Sequence, residues 1–369
     1  MAPPKPQSGI LNIAPYVGGD CAVEGIDHVI KLSSNEGALG PSQKAIDAIT
    51  QSALDVHRYP DGGASALRNA LASRFGLNAD RIVCGAGSDE IISLLIHAYA
   101  GPGDEVLYSA HGFLMYSISA LAAGATPVTA PETNYTANVD ALLAAVTDST
   151  KMVFLANPNN PTGTYLPDAE VRRLRTGLRD DILLVLDAAY AEYVTHEDYD
   201  AGVKLVEETD NTVMTRTFSK LYSLGGARLG WCYAPETVCD VLHRVRGPFN
   251  VTAAALSGGE AAVGDIEFEQ RVRDHTIEWR EWTATQLRSL GLHVIDSVGN
   301  FLLVRFDSDD ADDLGNGGRG AIAADAFLKS HGIIIRRVAG YGLPDCLRIS
   351  IGTEDEMRAL VKTLSDFLE

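Results

Sequence analysis

Lys220 stands directly after Ser219 and ahead of the small-residue run Gly225-Gly226-Ala227-Arg228. A lysine amine condenses with an aldehyde to a Schiff base, a reaction open to no other side chain. A hydroxyl and a guanidinium close by would hold a phosphate next to that amine, because the planar fork of arginine bonds phosphate oxygens in pairs. Ser219, Lys220 and Arg228 therefore read as a site for an aldehyde cofactor that also carries a phosphate. Taken singly, Lys220 reads as an ordinary surface lysine at a helix start, so the surroundings have to decide.

Asp187 closes the unbroken apolar run Ile182-Leu183-Leu184-Val185-Leu186. Such a run reads as a strand buried on both faces, and ligands of open α/β sheets bind at the carboxyl ends of such strands. Tyr190 follows on the next turn. Upstream, Asn157-Pro158-Asn159-Asn160-Pro161-Thr162-Gly163 makes a rigid turn after the apolar run Met152 to Leu155. Pyridoxal phosphate needs an acid beside its pyridine nitrogen and a donor near its ring hydroxyl, and Asp187 and Tyr190 are of those types. The plainer readings, a helix N-cap for Asp187 and a simple loop for the Asn-Pro turn, hold for each feature alone but not for all of them in this order.

That order, Asn-Pro-x-Asn-Pro-Thr-Gly, then Asp-x-x-Tyr, then Ser-Lys, then Arg, resembles the fold-type I pyridoxal-phosphate-dependent aminotransferases. Further stretches look like the histidinol-phosphate aminotransferase branch: Leu32-Ser33-Ser34-Asn35-Glu36, Arg58-Tyr59-Pro60-Asp61-Gly62, Gly87-Ser88-Asp89-Glu90 and Cys346-Leu347-Arg348-Ile349-Ser350. The resemblance runs from about Tyr16 to the last helix. It implies transamination between L-histidinol phosphate and 2-oxoglutarate, in a cytoplasmic homodimer. Aromatic amino-acid aminotransferases share much of the pattern and are the nearest alternative. A threonine-phosphate decarboxylase and a non-catalytic cofactor-binding regulatory module stand further off.

The same resemblance assigns roles. Lys220 carries the cofactor and moves the proton, Asp187 pairs with the ring nitrogen, and Asn157 and Tyr190 bond the ring oxygen. Gly87, Ser88 and Asp89 cup the phosphate at a helix N-terminus, with Ser219 and Arg228 gripping it from the other side. Phe113 stacks on the ring, although His111-Gly112 stand where the usual motif has Pro-Thr. Tyr59 reaches the cofactor phosphate of a neighbouring subunit. Arg348 clamps a substrate anion, Arg336 is the second anion contact with Arg337 as its competitor, and Tyr16 and Asn35 line the substrate side. Asn35-Glu36-Gly37-Ala38 departs from the usual Asn-Glu-Asn-Pro.

These residues require a framework to position them. At 369 residues the chain exceeds one ordinary core, and apolar runs alternate with amphipathic stretches from Arg81 to Cys232. The alternation predicts an α/β fold: a mostly parallel seven-stranded sheet in a large domain over 41–260. Residues 1–40 and 261–369 read as an N-terminal arm plus a smaller α+β domain. The net charge of -19 argues against nucleic acid or an anionic membrane as partner. Five scattered cysteines without a Cys-x-x-Cys pair, and histidines without ligand spacing, indicate neither disulfides nor a metal site. Residues 1–9 hold no apolar core, so no signal peptide is expected. The acidic run 307–318 lacks the ordered spacing of a calcium loop and reads as a solvated loop.

Overall fold

The computed structural model describes residues 4–6, 9–15, 18–26, 28–306 and 318–369. Tyr16 and nearly all of the acidic run lie outside the described residues.

Seven strands, β1 to β7 in chain order, form the larger sheet: Ile82–Gly85, Glu105–Ser109, Thr126–Ala130, Thr150–Ala156, Leu183–Asp187, Thr212–Thr217 and Gly230–Tyr233. They lie side by side as β1-β7-β6-β5-β4-β2-β3. Only β7 runs against its neighbours, pairing antiparallel with both β1 and β6. The apolar runs explain the placement. β5 is buried at each of its positions, and its side chains alternate between two cores, with Val185 packed on one face and Leu184 and Leu186 on the other. A strand with period-two side chains can be apolar throughout only where helices cover both faces.

The parallel direction has a functional consequence. β1, β4, β5 and β6 all end on the same edge. Ala156 at the end of β4 is level with Asp187 at the end of β5, and Gly230 at the start of β7 lies between Gly85 and Thr217. One edge therefore receives the Asn-Pro turn, the acid, the lysine loop and the helix Ser88–Tyr99.

A second, antiparallel sheet contains β8 (His293–Val294), β9 (Phe301–Arg305), β10 (Arg336–Arg337) and β11 (Cys346–Ser350), ordered β8-β9-β11-β10. The N-terminal arm joins this part through Ile30–Lys31, which pairs in parallel with Ile333–Ile334. The helix Ile266–Ser289 serves both cores: Val272 packs with the helices on the larger sheet, while Trp279, Ala284 and Leu287 pack under the smaller one. The chain thus passes from one core to the other along this helix. A capping box, Thr353 with Glu356, starts the closing helix Glu354–Leu368. Among the described residues no helix is long and apolar enough to cross a membrane.

Candidate active site

Between the carboxyl edge of the larger sheet and the smaller sheet lies a cavity of about 280 Å³. Its walls bring together Asp187, Tyr190, Ser219, Lys220, Arg228, Ser88, Asp89, Phe113, Asn35, Arg336 and Arg348, residues drawn from positions more than 300 apart in sequence. Asn157, Tyr59 and Arg337 are not among its walls, and Tyr16 is outside the described residues.

One end of the cavity is a cradle built from backbone. β1 turns through Gly87, whose φ of +93° favours glycine, into the helix Ser88–Tyr99. A Cβ at Gly87 would lie 2.6 Å from Arg228 Nη2, and one at Gly230 only 2.3 Å from the Ser88 nitrogen. Glycines thus let the guanidinium approach the helix N-terminus, where unpaired N–H groups favour an anion. Arg228 has a left-handed backbone, φ 54°. It donates to the Gly225 carbonyl at 3.0 Å, to Asp89 Oδ2 at 3.3 Å and, more weakly, to Ser219 Oγ at 3.4 Å. The Asp89 carboxylate is therefore an anchor for Arg228.

Asp187 is 6% exposed. Its Oδ2 accepts from the Tyr116 hydroxyl at 2.6 Å and its Oδ1 from Thr215 Oγ1 at 3.4 Å. Burial pushes the carboxyl up to about 6; the Tyr116 bond opposes this, and the charge of Asp89 adds to it. Burial and the adjacent carboxylate hold the Tyr116 phenol well above its usual range. Tyr116 was not anticipated from the sequence. The available signal was its spacing: three residues after Phe113, it shares a helix face with that ring, and the two rings meet edge to face at 5.9 Å.

Tyr190 is buried, and its hydroxyl accepts from Asn35 Nδ2 at 2.9 Å. Lys220 Nζ lies 5.7 Å from the centre of its ring. Asn35 has φ 55°, donates its backbone N–H to Ser350 Oγ at 2.7 Å and accepts from the same hydroxyl through Oδ1 at 3.0 Å. One asparagine so joins the arm, the smaller sheet and the cavity tyrosine.

The expected ring-oxygen contact from Asn157 is corrected by the geometry. Both ends of its amide are bound to Leu166: Oδ1 accepts from the backbone N–H at 2.8 Å and Nδ2 donates to the carbonyl at 2.9 Å. It clasps the base of the Asn-Pro turn, since the first residue beyond a buried strand must meet the returning chain. Asn160, three residues later, faces the cavity, and its Oδ1 accepts from Arg348 Nη1 at 2.6 Å.

Arg348 and Arg336 are register partners on the neighbouring strands β11 and β10, which sets them side by side on the cavity wall. Arg348 is 6% exposed. Besides Asn160 it donates to the Ser33 carbonyl at 2.8 Å, and its Nε has no partner. Among the described residues no carboxylate lies within ion-pairing distance of this buried cation. Arg337 points away and is exposed. Tyr341, a further wall residue, carried no signal in the sequence. Tyr59 is 83% exposed, with its ring stacked on Phe249 at 4.7 Å, outside the cavity of its own chain.

This arrangement offers an amine, a buried acid, an anion cradle and a second anion site facing one space. Comparison with known proteins agrees in kind. The model of the family described as aminotransferase class I and II matches residues 27–364. A protein of Paramagnetospirillum magneticum named histidinol-phosphate aminotransferase is 61% identical over 368 residues, covering 100% of this chain and 99% of the relative. One of the same name from Rhodospirillum rubrum is 59% identical, covering 99% and 97%. The crystal structure of histidinol-phosphate aminotransferase from Sinorhizobium meliloti in complex with pyridoxal-5'-phosphate superposes with a TM-score of 0.84 at 28% identity, covering 92% of this chain and 90% of that one. The chain belongs to the class I and II aminotransferases.

Proposed function

We propose that this chain transfers the amino group of L-histidinol phosphate to 2-oxoglutarate, with pyridoxal phosphate as its cofactor. The observation that carries the reading is Arg348: a buried cation with neutral partners and an unpaired Nε, lining the same cavity as the anion cradle. A buried cation whose donors are not all met is stabilised by an anion, and both substrates of this reaction bring one. The names of the relatives at 61% and 59% identity support the choice of substrate.

The residues present fit the cofactor. The Gly87–Asp89 cradle with Ser219 and Arg228 would hold its phosphate, and a Cβ at Gly87 would close that space. Asp187 would accept from the protonated pyridine nitrogen, a cation that returns the buried carboxyl to its charged form. Tyr190 would bond the ring oxygen, and we assign to Asn160 the part first expected of Asn157. Bound there, pyridoxal phosphate supplies an aldehyde for the substrate amine and a ring that accepts the electron pair left when the Cα proton departs.

The chain's own groups do the rest. Phe113 lies beside the ring space and excludes water from one face. Lys220 Nζ, the amine that faces this space, would hold the cofactor's aldehyde and serve as the base that takes the substrate Cα proton. Arg348 holds the substrate anion through paired hydrogen bonds, with Arg336 next to it. Histidinol phosphate and glutamate use the site in turn, so one arginine serves a phosphate and a carboxylate. We further propose a homodimer in which Tyr59 completes the neighbouring cradle. Four of the five cysteines are buried thiols, chemistry suited to a reducing compartment such as the cytoplasm.

The test is a half-reaction. Holoenzyme mixed with histidinol phosphate alone should form one equivalent of imidazole-acetol phosphate per site and pass to the amine form of the cofactor. Subsequent 2-oxoglutarate should restore the starting absorbance. No spectral change with histidinol phosphate would refute the reading.

A further inference from the structure

Four arginines are buried among the described residues: Arg175, Arg216, Arg280 and Arg348. Three have an evident reason to be there. Arg175 donates to four backbone carbonyls, those of Leu178, Arg179, Ile182 and Asn211. Arg216 pairs with the buried Glu192 carboxylate at 2.8 Å. Arg348 lines the catalytic cavity. Arg280 is 9% exposed and donates to one acceptor, the Gly299 carbonyl at 3.0 Å. Among the described residues no carboxylate forms an ion pair with it, and its remaining N–H donors meet no protein acceptor.

Arg280 lines a groove of about 650 Å³ on the side of the Asn-Pro turn away from the catalytic cavity. The groove runs between the helix Ile266–Ser289 and the segment at Gly163 and Thr164. Its floor is apolar, with Ala284, Val298 and Leu302 buried, and Thr164 and Ser297 add hydroxyls to its walls. Asp296, at the rim, is engaged by Arg288 at 2.5 Å. Glu281 at the mouth is exposed; its charge acts on the guanidinium from there but forms no ion pair with it.

We propose that this groove is a second anion-binding site, for a small organic carboxylate whose apolar body rests on the floor while its oxygens meet Arg280. The physical reason is related to the one that marks Arg348: a largely desolvated cation with no ion-pair partner gains from an anion that arrives. The apolar floor favours a carboxylate with a hydrocarbon body over inorganic phosphate. The inference is independent of the reaction assigned to the catalytic cavity.

Trp279 and Trp282, on the same helix as Arg280, provide the readout. Their fluorescence is titrated with butyrate and with inorganic phosphate in holoenzyme carrying Arg348→Gln, which removes the buried arginine of the catalytic cavity. Saturable binding of butyrate should persist in that variant, with phosphate at least tenfold weaker. Adding Arg280→Gln should weaken butyrate binding at least tenfold, with the folded state checked by circular dichroism. If the double variant fails to fold, Arg280→Lys, which keeps the charge but not the fork, takes the place of Arg280→Gln, with the same loss of butyrate binding expected. Loss of all butyrate binding in Arg348→Gln would overturn the proposal by placing every anion in the catalytic cavity. Unchanged affinity in the folded double variant would overturn the role of Arg280. Phosphate binding as well as butyrate would overturn the carboxylate assignment.

Discussion

Asp187 is the residue on which the chemistry and the physics of burial meet. In the cofactor-free protein its carboxyl moves from an ordinary 3.8 to about 6. A raised folded-state value means that the stability is complete below the unfolded value and is lost as pH rises through the folded one. Cofactor-free wild type should therefore lose on the order of 3 kcal/mol between about pH 4 and pH 6. Asp187→Asn should lack that slope in urea titrations at stepped pH; an identical slope in the variant would dismiss the assignment. With cofactor bound, the same variant should lose orders of magnitude in turnover, because a neutral amide cannot hold the ring proton. Arg348→Lys keeps the charge but not the fork. Losing one charge-assisted hydrogen bond, roughly 1.5–3 kcal/mol, should lower kcat/KM about tenfold to a hundredfold for both histidinol phosphate and glutamate. If only glutamate suffers, the phosphate is held elsewhere, with Arg336 the first suspect.

At the scale of elements, the residues that sequence reading located are those tied to strand ends. Asp187 and Lys220 follow apolar runs whose termini can be counted, and Arg348 lies inside one. Asn157 was misplaced for the same reason: the count gives the end of a strand but not which asparagine of the following turn faces inward. That choice depends on the closure with Leu166, nine residues on. Tyr116 and Tyr341 escaped because a helix face and a short loop point inward only once the second sheet is docked. The corrected turn makes a prediction. Asn157→Ala should destabilise the protein by about 1–3 kcal/mol through two unmet buried backbone groups and leave the cofactor absorbance in the folded protein unchanged. Asn160→Ala should change that absorbance and its pH dependence with a smaller loss of stability. Absorbance spectra and thermal melts of the two variants separate the cases, and the reverse pattern would return the ring contact to Asn157.

At the scale of the whole molecule, the fold class and sheet were legible because alternating apolar runs leave few other arrangements. The sharing of the helix Ile266–Ser289 between two cores was not, since its apolar positions do not record which core they enter. Nor does one chain record its partner. Tyr59, 83% exposed, and Phe249, 44% exposed and stacked on it, mark a surface that we expect a second copy to cover. Mixing inactive Lys220→Ala chains with Tyr59→Phe chains should produce hybrid dimers in which one site carries neither change, and activity should rise above the sum of the two parents. Full activity in a monomer at high dilution would exclude a shared site. The central claim concerns the substrate, and the most direct measurement is steady-state kcat/KM for histidinol phosphate beside phenylalanine, tyrosine and histidinol, with 2-oxoglutarate as acceptor. The account predicts that histidinol phosphate is preferred by orders of magnitude and that histidinol, without the phosphate for Arg348, falls far below it. A preference for phenylalanine or tyrosine would contradict the account.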